Sequence, residues 1–221
     1  MKLECIERIT SEPVGAVVIW LHGLGADGTD FLSAVEYLDP GSDKGVKFVF
    51  PHAPVRPVTL SGGQMMRAWY DVRSLDMDGA GDVEQLNAAR RQIEDLIQDQ
   101  TDAGIAPEQI VLAGFSQGGA LALYTALRYH QKLAGIIGLS TYLPMPRKLA
   151  DEIHAENRKT PIFLAHGARD PVIPIVAGEY GRDTLVYYGC PVSWNRYPIE
   201  HSVNIDELND IKSWLKLNLD F

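Results

Sequence analysis

Cysteine is scarce in this chain, and its two cysteines, Cys5 and Cys190, stand far apart. Their spacing matches neither a metal-binding nor a redox motif, so we expect two free thiols in a reducing compartment. No apolar run approaches the ~20 residues needed to cross a bilayer, and acidic side chains interrupt the first residues where a secretory signal needs an apolar core. These absences predict a soluble, cytoplasmic protein without stable membrane insertion.

Positive charge is also in deficit, with 20 Lys and Arg against 29 Asp and Glu and a formal net charge of -9. Nucleic acids and anionic bilayers repel such a surface, so we expect no nucleic-acid partner and favour soluble substrates over lipids.

The sequence contains neither internal repeats nor linker-like segments. A chain of 221 residues with 46% hydrophobic content suffices for one core, which predicts a single domain over residues 1–221.

Short apolar runs alternate with amphipathic segments along the chain. Predicted strands cover residues 3–9, 15–21, 46–50, 110–113, 133–140, 161–166 and 192–197, and predicted helices cover residues 30–38, 82–100 and 205–219, with a further helix starting at Gln117. Runs that are apolar throughout are typical of parallel strands buried on both faces. The pattern predicts an α/β fold with a mostly parallel central sheet of about seven strands, flanked by helices.

A serine bracketed by glycines follows the apolar run 110–113, in Gly114-Phe115-Ser116-Gln117-Gly118. Three fixed positions can arise by chance, but a preceding strand and a following helix favour a nucleophile elbow. Side chains at Gly114 and Gly118 would collide in that sharp turn. The Gln117 N–H, at the positive end of the new helix, is then expected to face an oxyanion beside Ser116.

A base and an acid should follow later strands, because reacting groups gather at the carboxyl ends of strands in such sheets. Asp170 follows strand 161–166, and His201 follows strand 192–197. The chain order Ser116, Asp170, His201 is the order of the α/β-hydrolase arrangement. We therefore predict His201 as general base and Asp170 as the group that orients its ring.

Other candidates fit structural roles better. His166, an alternative base, precedes Asp170 on the same turn and should shape the loop that carries Asp170, called the acid loop below. Asp183, an alternative to Asp170, falls inside a helical stretch. The glycine-rich loop 22–28 follows a central strand, so we assign the second oxyanion donor to the Leu24 N–H, with an ordinary strand-to-helix turn as the alternative. His22 should brace that loop through hydrogen bonds.

Residues 51–80 break the alternation with prolines, a glycine pair, methionines and aromatics. A long loop in a compact domain is usually functional, so we predict an insertion that edges the active site. Met65 and Trp69, with Tyr142 and Leu143 after strand 133–140, are the candidate substrate contacts. Packing beneath the loop is the alternative for each side chain.

Together these segments resemble the acyl-protein thioesterase, lysophospholipase and carboxylesterase family of α/β-hydrolases, from about residue 17 to the end. The resemblance rests on Leu21-His22-Gly23-Leu24-Gly25, Pro51-His52-Ala53-Pro54-Val55-Arg56-Pro57-Val58-Thr59, Trp69-Tyr70-Asp71, Gly114-Phe115-Ser116-Gln117-Gly118-Gly119, Leu139-Ser140-Thr141-Tyr142-Leu143-Pro144 and the segments around Asp170 and His201. It implies a catalytic triad of Ser116, Asp170 and His201, an oxyanion hole from the Leu24 and Gln117 amides, neither metal nor organic cofactor, and a possible homodimer. Arg67-Ala68 before Trp69 and Ile199-Glu200 before His201 depart from the family pattern and leave substrate preference open.

The function expected from these features is hydrolysis of carboxylic esters or thioesters of short- to medium-chain acyl groups through an acyl-enzyme. The substrate would be a small acyl ester or thioester, or an acylated protein. The alternative substrate is a lysophospholipid, which would make the protein a lysophospholipase. A peptidase of the same fold would need an additional domain. A non-catalytic binding module on this scaffold would lack a triad member or an oxyanion glycine.

Overall fold

The computed structural model describes residues 2–73 and 83–219. Its strands are β1 Cys5–Ile9, β2 Val14–Leu21, β3 Gly45–Pro51, β4 Val55–Val58, β5 Gln64–Arg67, β6 Ile110–Phe115, β7 Gly135–Leu139, β8 Ile162–Gly167 and β9 Val192–Tyr197. Its α-helices are α1 Val35–Leu38, α2 Val83–Asp102, α3 Gln117–Ala126, α4 Leu149–Glu152, α5 Ile175–Tyr187 and α6 Ile205–Asn218.

Seven of these strands form one sheet in the order β1-β3-β2-β6-β7-β8-β9. β1 pairs antiparallel with β3 at the edge, and the other neighbours pair in parallel. The central strands β2, β6 and β7 are almost wholly buried, as their continuous apolar sequences require. The predicted mostly parallel sheet is confirmed.

Helices cover both faces of this sheet and divide the core into two layers. The side chains of α2, α3 and α5 pack with one set of strand residues, and those of α1 and α6 pack with the other. In α2 the predicted apolar stripe is buried from Leu86 onward, whereas Val83 is exposed.

Cys5 and Cys190 are free thiols, as predicted. Among the described residues, no helix is long and apolar enough to cross a membrane.

Two predicted elements differ from the structure. Residues 30–38 form a turn, a short 3-10 segment and the single-turn helix α1 instead of one helix. Residues 51–73 contain the antiparallel hairpin β4–β5, where the sequence predicted only an irregular loop. Pro57 within β4 hid the strand pattern, since proline is tolerated only at an edge or in a short ribbon. The rest of the predicted insertion, residues 74–80, and the predicted helix start at Asp82 lie outside the described residues.

The first turn of α6 contains a buried acid that sequence analysis did not identify. The Asn204 side chain caps the helix by accepting the Glu207 N–H at 2.9 Å. The Glu207 side chain is 1% exposed, and neither of its carboxyl oxygens has a hydrogen-bond partner among the described residues. Burial, with a smaller contribution from the charge of Asp210, raises the pKa of Glu207 to about 8.

Glu207→Gln should stabilise the fold in alkali and have little effect in acid. The pKa of Glu207 rises from 4.5 unfolded to about 8 folded, so its favourable contribution is complete below 4.5 and is lost as pH rises through 8. Urea unfolding should show the variant gaining about 4 kcal/mol over the parent between pH 5 and pH 8.5. The exposed Glu4→Gln is the control, and an equal gain there would contradict the buried-carboxyl explanation.

Candidate active site

Ser116 occupies a strained turn between β6 and α3, with φ 55° and ψ -120°. A non-glycine residue with positive φ is held there only by its surroundings. A Cβ on Gly114 would lie 2.3 Å from the Gly118 carbonyl carbon, and one on Gly118 would lie 2.2 Å from the Leu21 oxygen. The predicted collisions are confirmed, and only glycines at these two positions permit the turn.

Two hydrogen bonds from the neighbouring strand end hold the Ser116 backbone. Its N–H donates to the Leu139 carbonyl at 2.8 Å, and the Thr141 hydroxyl donates to its carbonyl at 2.7 Å. Both partners come from the end of β7 and the segment after it. The strained turn is therefore fixed to the sheet rather than left to the loop alone.

Asp170 is a fully satisfied buried carboxylate. One oxygen accepts the N–H groups of Val172 at 2.8 Å and Ile173 at 2.9 Å. The other accepts Nδ1–H of His201 at 2.6 Å, and the Asp170 side chain is 0% exposed. This charge-assisted hydrogen bond fixes the ring orientation and places the proton on Nδ1, which leaves Nε2 as the acceptor.

The ends of β8 and β9 bring this pair together. Across the gap, the Ala168 N–H donates to the Tyr197 carbonyl at 2.8 Å and the Arg169 N–H donates to the Ile199 carbonyl at 3.0 Å. A Cβ on Gly167 would lie 2.2 Å from the Glu200 oxygen. The acid loop thus packs directly on the backbone that leads to His201.

An aromatic contact keeps His201 next to the elbow. The His201 ring lies 4.6 Å from the ring of Phe115, which directly precedes Ser116. Phe115 in turn packs on Phe31 at 5.8 Å. Within residues 2–73 and 83–219, no hydrogen bond links the Ser116 hydroxyl to His201. Such bonds are often long without substrate and tighten in the complex.

The glycine-rich loop 22–28, called the oxyanion loop after the role predicted for its Leu24 N–H, lies against the same turn. An ideal Cβ on Gly23 would be 3.4 Å from Cβ of Ser116. Neither the Leu24 N–H nor the Gln117 N–H has a protein acceptor in the part of the chain that the structure describes. Two unpaired amides beside the serine are the arrangement required to stabilise negative charge on a substrate oxygen.

His22 braces this loop, as predicted. Its Nε2 accepts the Ala53 N–H at 3.0 Å, so Nδ1 is protonated and donates to the Gly23 carbonyl at 2.7 Å. Burial lowers the pKa of His22, which favours this neutral form. The strand that precedes the oxyanion loop is thereby tied to the segment after β3.

The side chain of Gln117 has a role that sequence analysis missed. Its amide oxygen accepts the Trp69 N–H at 2.9 Å, and its amide nitrogen donates to the Tyr70 carbonyl at 2.8 Å. Asp71 likewise accepts the backbone and hydroxyl of Thr59 at 2.8 and 2.7 Å. The resemblance had marked Trp69-Tyr70-Asp71 as a motif, and these bonds show that it anchors the hairpin to the elbow helix.

The hairpin is also bonded to the oxyanion loop. The Gly25 N–H donates to the Arg67 carbonyl at 2.9 Å, and the Arg67 guanidinium donates to the Ala53 carbonyl at 2.9 Å. Arg67, one of the departures from the family pattern, therefore ties β5 to the loop after β3. The β4–β5 hairpin lies at the edge of the site, next to Leu24.

The four predicted substrate contacts divide into two pairs. Met65 on β5 is 60% exposed, and Tyr142 is half-buried with its hydroxyl 2.7 Å from the Tyr70 hydroxyl. Trp69 is 0% exposed and donates its indole N–H to the His22 carbonyl at 2.9 Å. Leu143 is 1% exposed. Trp69 and Leu143 pack in the core without free surface, which favours the packing alternative for both. Their contact with a substrate stays a prediction.

The rival titratable groups take structural positions. Nε2–H of His166 donates to the Ile173 carbonyl at 2.8 Å, which shapes the acid loop as predicted, and burial lowers the pKa of this ring. Asp183 lies within α5 and pairs with Arg182 at 2.8 Å. Among the described residues, no three His, Cys, Asp or Glu side chains form a group that could hold a metal ion.

A family model described as Phospholipase/Carboxylesterase matches residues 5–219 of this chain. The chain belongs to the phospholipase/carboxylesterase family. Membership confirms the resemblance and the α/β-hydrolase fold, and it makes the chain a serine hydrolase of carboxylic esters.

Curated members of the phospholipase/carboxylesterase family align with nearly the whole chain. Acyl-protein thioesterase 1 of Neurospora crassa is 40% identical over 216 residues, which cover 90% of this chain and 85% of the relative. The protein of the same name from Gibberella zeae is 38% identical over 213 residues, which cover 92% of this chain and 91% of the relative.

Solved structures of similar proteins have the same fold as this chain. The crystal structure of Arabidopsis thaliana SOBER1 has a TM-score of 0.86 at 31% identity, covering 94% of this chain and 100% of that chain. Zea mays acyl-protein thioesterase 2 has a TM-score of 0.83 at 29% identity, covering 97% and 99%. The central sheet and its flanking helices are therefore those of the phospholipase/carboxylesterase family.

Gln117→Ala should destabilise the protein by about 2 kcal/mol, because the Trp69 N–H and the Tyr70 carbonyl would lose their partner while buried. Urea unfolding measures the loss. The control is Gln98→Ala on α2, whose amide bonds only to neighbouring exposed side chains. Equal losses in the two variants would argue against the anchoring role.

Trp69→Ala should remove a fully buried ring and cost about 3–5 kcal/mol of stability. Since Trp69 has no free surface, hydrolysis of acetyl and octanoyl esters should fall by the same factor. Steady-state kinetics on both esters checks this. A selective loss on the octanoyl ester would restore Trp69 as a substrate contact.

Proposed function

We propose that this protein hydrolyses acyl thioesters and esters with Ser116 as nucleophile, His201 as general base and Asp170 as the group that orients it. The observation that carries the proposal is the 2.6 Å hydrogen bond from His201 Nδ1 to the buried carboxylate of Asp170, together with the tilted contact of the His201 ring on Phe115, the residue before Ser116. A base with a fixed tautomer close to a serine in a strained turn is what acyl transfer requires.

Each chemical step has a named group. The Ser116 oxygen attacks the acyl carbon while His201 Nε2 takes its proton, and the Leu24 and Gln117 N–H groups stabilise the oxyanion. The carbon–sulfur or carbon–oxygen bond breaks, and His201 returns the proton to the leaving group. Water deprotonated by His201 then attacks the acyl-serine, releases the carboxylic acid and restores the Ser116 hydroxyl.

The acyl group is proposed to be of short to medium length and to lie along the hairpin edge that carries Met65, with Tyr142 as a second contact. Met65 is exposed on β5, the strand whose Arg67 carbonyl accepts the Gly25 N–H of the oxyanion loop. Each methylene buried along this edge would contribute about 0.8 kcal/mol. The curated relatives named acyl-protein thioesterase 1 support an S-acylated protein as the substrate. Lysophospholipid hydrolysis is the alternative, disfavoured by the acidic surface.

A non-catalytic binding module on the same scaffold is the rival class. Such a module would lack a reactive serine, whereas this chain keeps the elbow glycines, the paired histidine and carboxylate and two unpaired amides. Labelling with a fluorophosphonate distinguishes the two, because only an activated serine forms the covalent adduct.

Ser116→Ala should lower kcat on a p-nitrophenyl or thioester substrate by about six orders of magnitude and abolish fluorophosphonate labelling. The midpoint of urea unfolding should stay close to that of the parent, since a hydroxyl alone is removed. A control, Ser202→Ala, removes an exposed hydroxyl next to His201. Retained labelling in Ser116→Ala would refute the assignment of the nucleophile.

A further inference from the structure

A cleft of about 460 Å³ opens on the His201 side of the elbow. Its walls are three aromatic rings, several small or apolar side chains and His201 itself. The residues that line it are Asp30, Phe31, Ser33, Ala34, Tyr37, Phe115, His201, Ser202, Val203 and Leu208. The volume falls in the range of ligand-binding clefts.

The position of this cleft matches one part of the substrate. In the proposed reaction His201 gives its proton to the departing sulfur or oxygen, so that atom must lie within hydrogen-bond reach of the ring. The groups beyond the departing atom then extend into the space that His201 borders. The acyl chain leaves the carbonyl in a different direction, toward the oxyanion loop and the hairpin.

The charged side chains that line the cleft are of one sign, negative. Asp30 is its single carboxylate, and no Lys or Arg is among the described residues that line it. In the described part of the chain, the Asp30 carboxylate has neither an ion-pair nor a hydrogen-bond partner. An unpaired carboxylate in a cleft without a basic side chain attracts a cation and repels an anion.

We propose that this cleft is the leaving-group subsite and that Asp30 makes it select S-acylated peptides whose cysteine is flanked by Lys or Arg. The proposal rests on the hydrolase function proposed above. It assigns a binding site to the leaving group, which the acyl contacts along the hairpin do not define. It also means that strongly anionic thiols, such as coenzyme A, are poor leaving groups for this enzyme.

Three S-octanoyl pentapeptides with capped ends test the proposal, with the cysteine between two Lys, two Gln or two Glu residues. They share the acyl chain and the thioester and differ only in leaving-group charge. Thiol release gives kcat/KM for each at low salt. The Lys peptide should exceed the Glu peptide by about ten-fold, and 0.5 M NaCl should remove most of this difference.

Asp30→Asn locates the effect. In this variant the ratio of kcat/KM for the Lys and Glu peptides should fall close to one. The matched control is Glu36→Gln, which removes the same charge from an exposed residue of α1 that does not line the cleft. The parent ratio should persist there.

The two proposals fail differently. If none of the peptides is cleaved and fluorophosphonate does not label the protein, the hydrolase function itself is wrong. If all three are cleaved but the parent shows no preference for the Lys peptide, or Asp30→Asn and Glu36→Gln change the ratio equally, the subsite is overturned and the hydrolase remains.

Discussion

Asp170 accepts the Nδ1–H of His201 with one oxygen while two backbone N–H groups hold the other, and the remaining chemistry of the site depends on this arrangement. The carboxylate is fully buried, and three N–H donors stabilise its charge. The bond fixes both the tautomer and the orientation of the ring. A ring that rotated freely would spend little time in the geometry needed for proton transfer, so this fixed ring suits the general-base role proposed for His201.

The parallel sheet makes that pairing possible. β8 and β9 run in register from Ile162↔Val192 to Gly167↔Tyr197, so the loops after them start side by side. Backbone hydrogen bonds then continue across these loops beyond the last paired residues. Two side chains 31 positions apart in the chain meet because their strands end at the same edge of the sheet.

A second network joins the serine to the hairpin. The Gln117 side chain bonds the backbone of Trp69 and Tyr70, while its N–H remains unpaired beside the Leu24 N–H. Gln117 therefore anchors the hairpin through its side chain, and in the proposed mechanism its backbone N–H is also an oxyanion donor. The hairpin is fixed to α3, the helix that begins directly after Ser116, so the position of the hairpin and the position of the Gln117 N–H are coupled.

Local patterns were sufficient for much of the architecture. Apolar runs predicted β2, β6, β7 and β8, because a strand that is buried on both faces contains few polar residues. The glycines around Ser116 predicted the sharp turn, because a Cβ atom at either position would collide with the backbone. The hairpin was missed because Pro57 interrupts β4, and the pattern of residues 30–38 suggested a longer helix than its packing allows. Glu207 was missed because a polar residue in a first helical turn is usually exposed.

The sequence by itself determined the class of fold, the bracing role of His22 and the chain order of the proposed triad, since these follow from local patterns and from the topology of a parallel sheet. Only the tertiary structure decided that Trp69 and Leu143 belong to the core, that Gln117 anchors the hairpin and that Asp30 stands unpaired in a cleft beside His201. The physical reason is that burial and hydrogen-bond partnership depend on residues distant in the chain, which periodicity along the sequence does not encode.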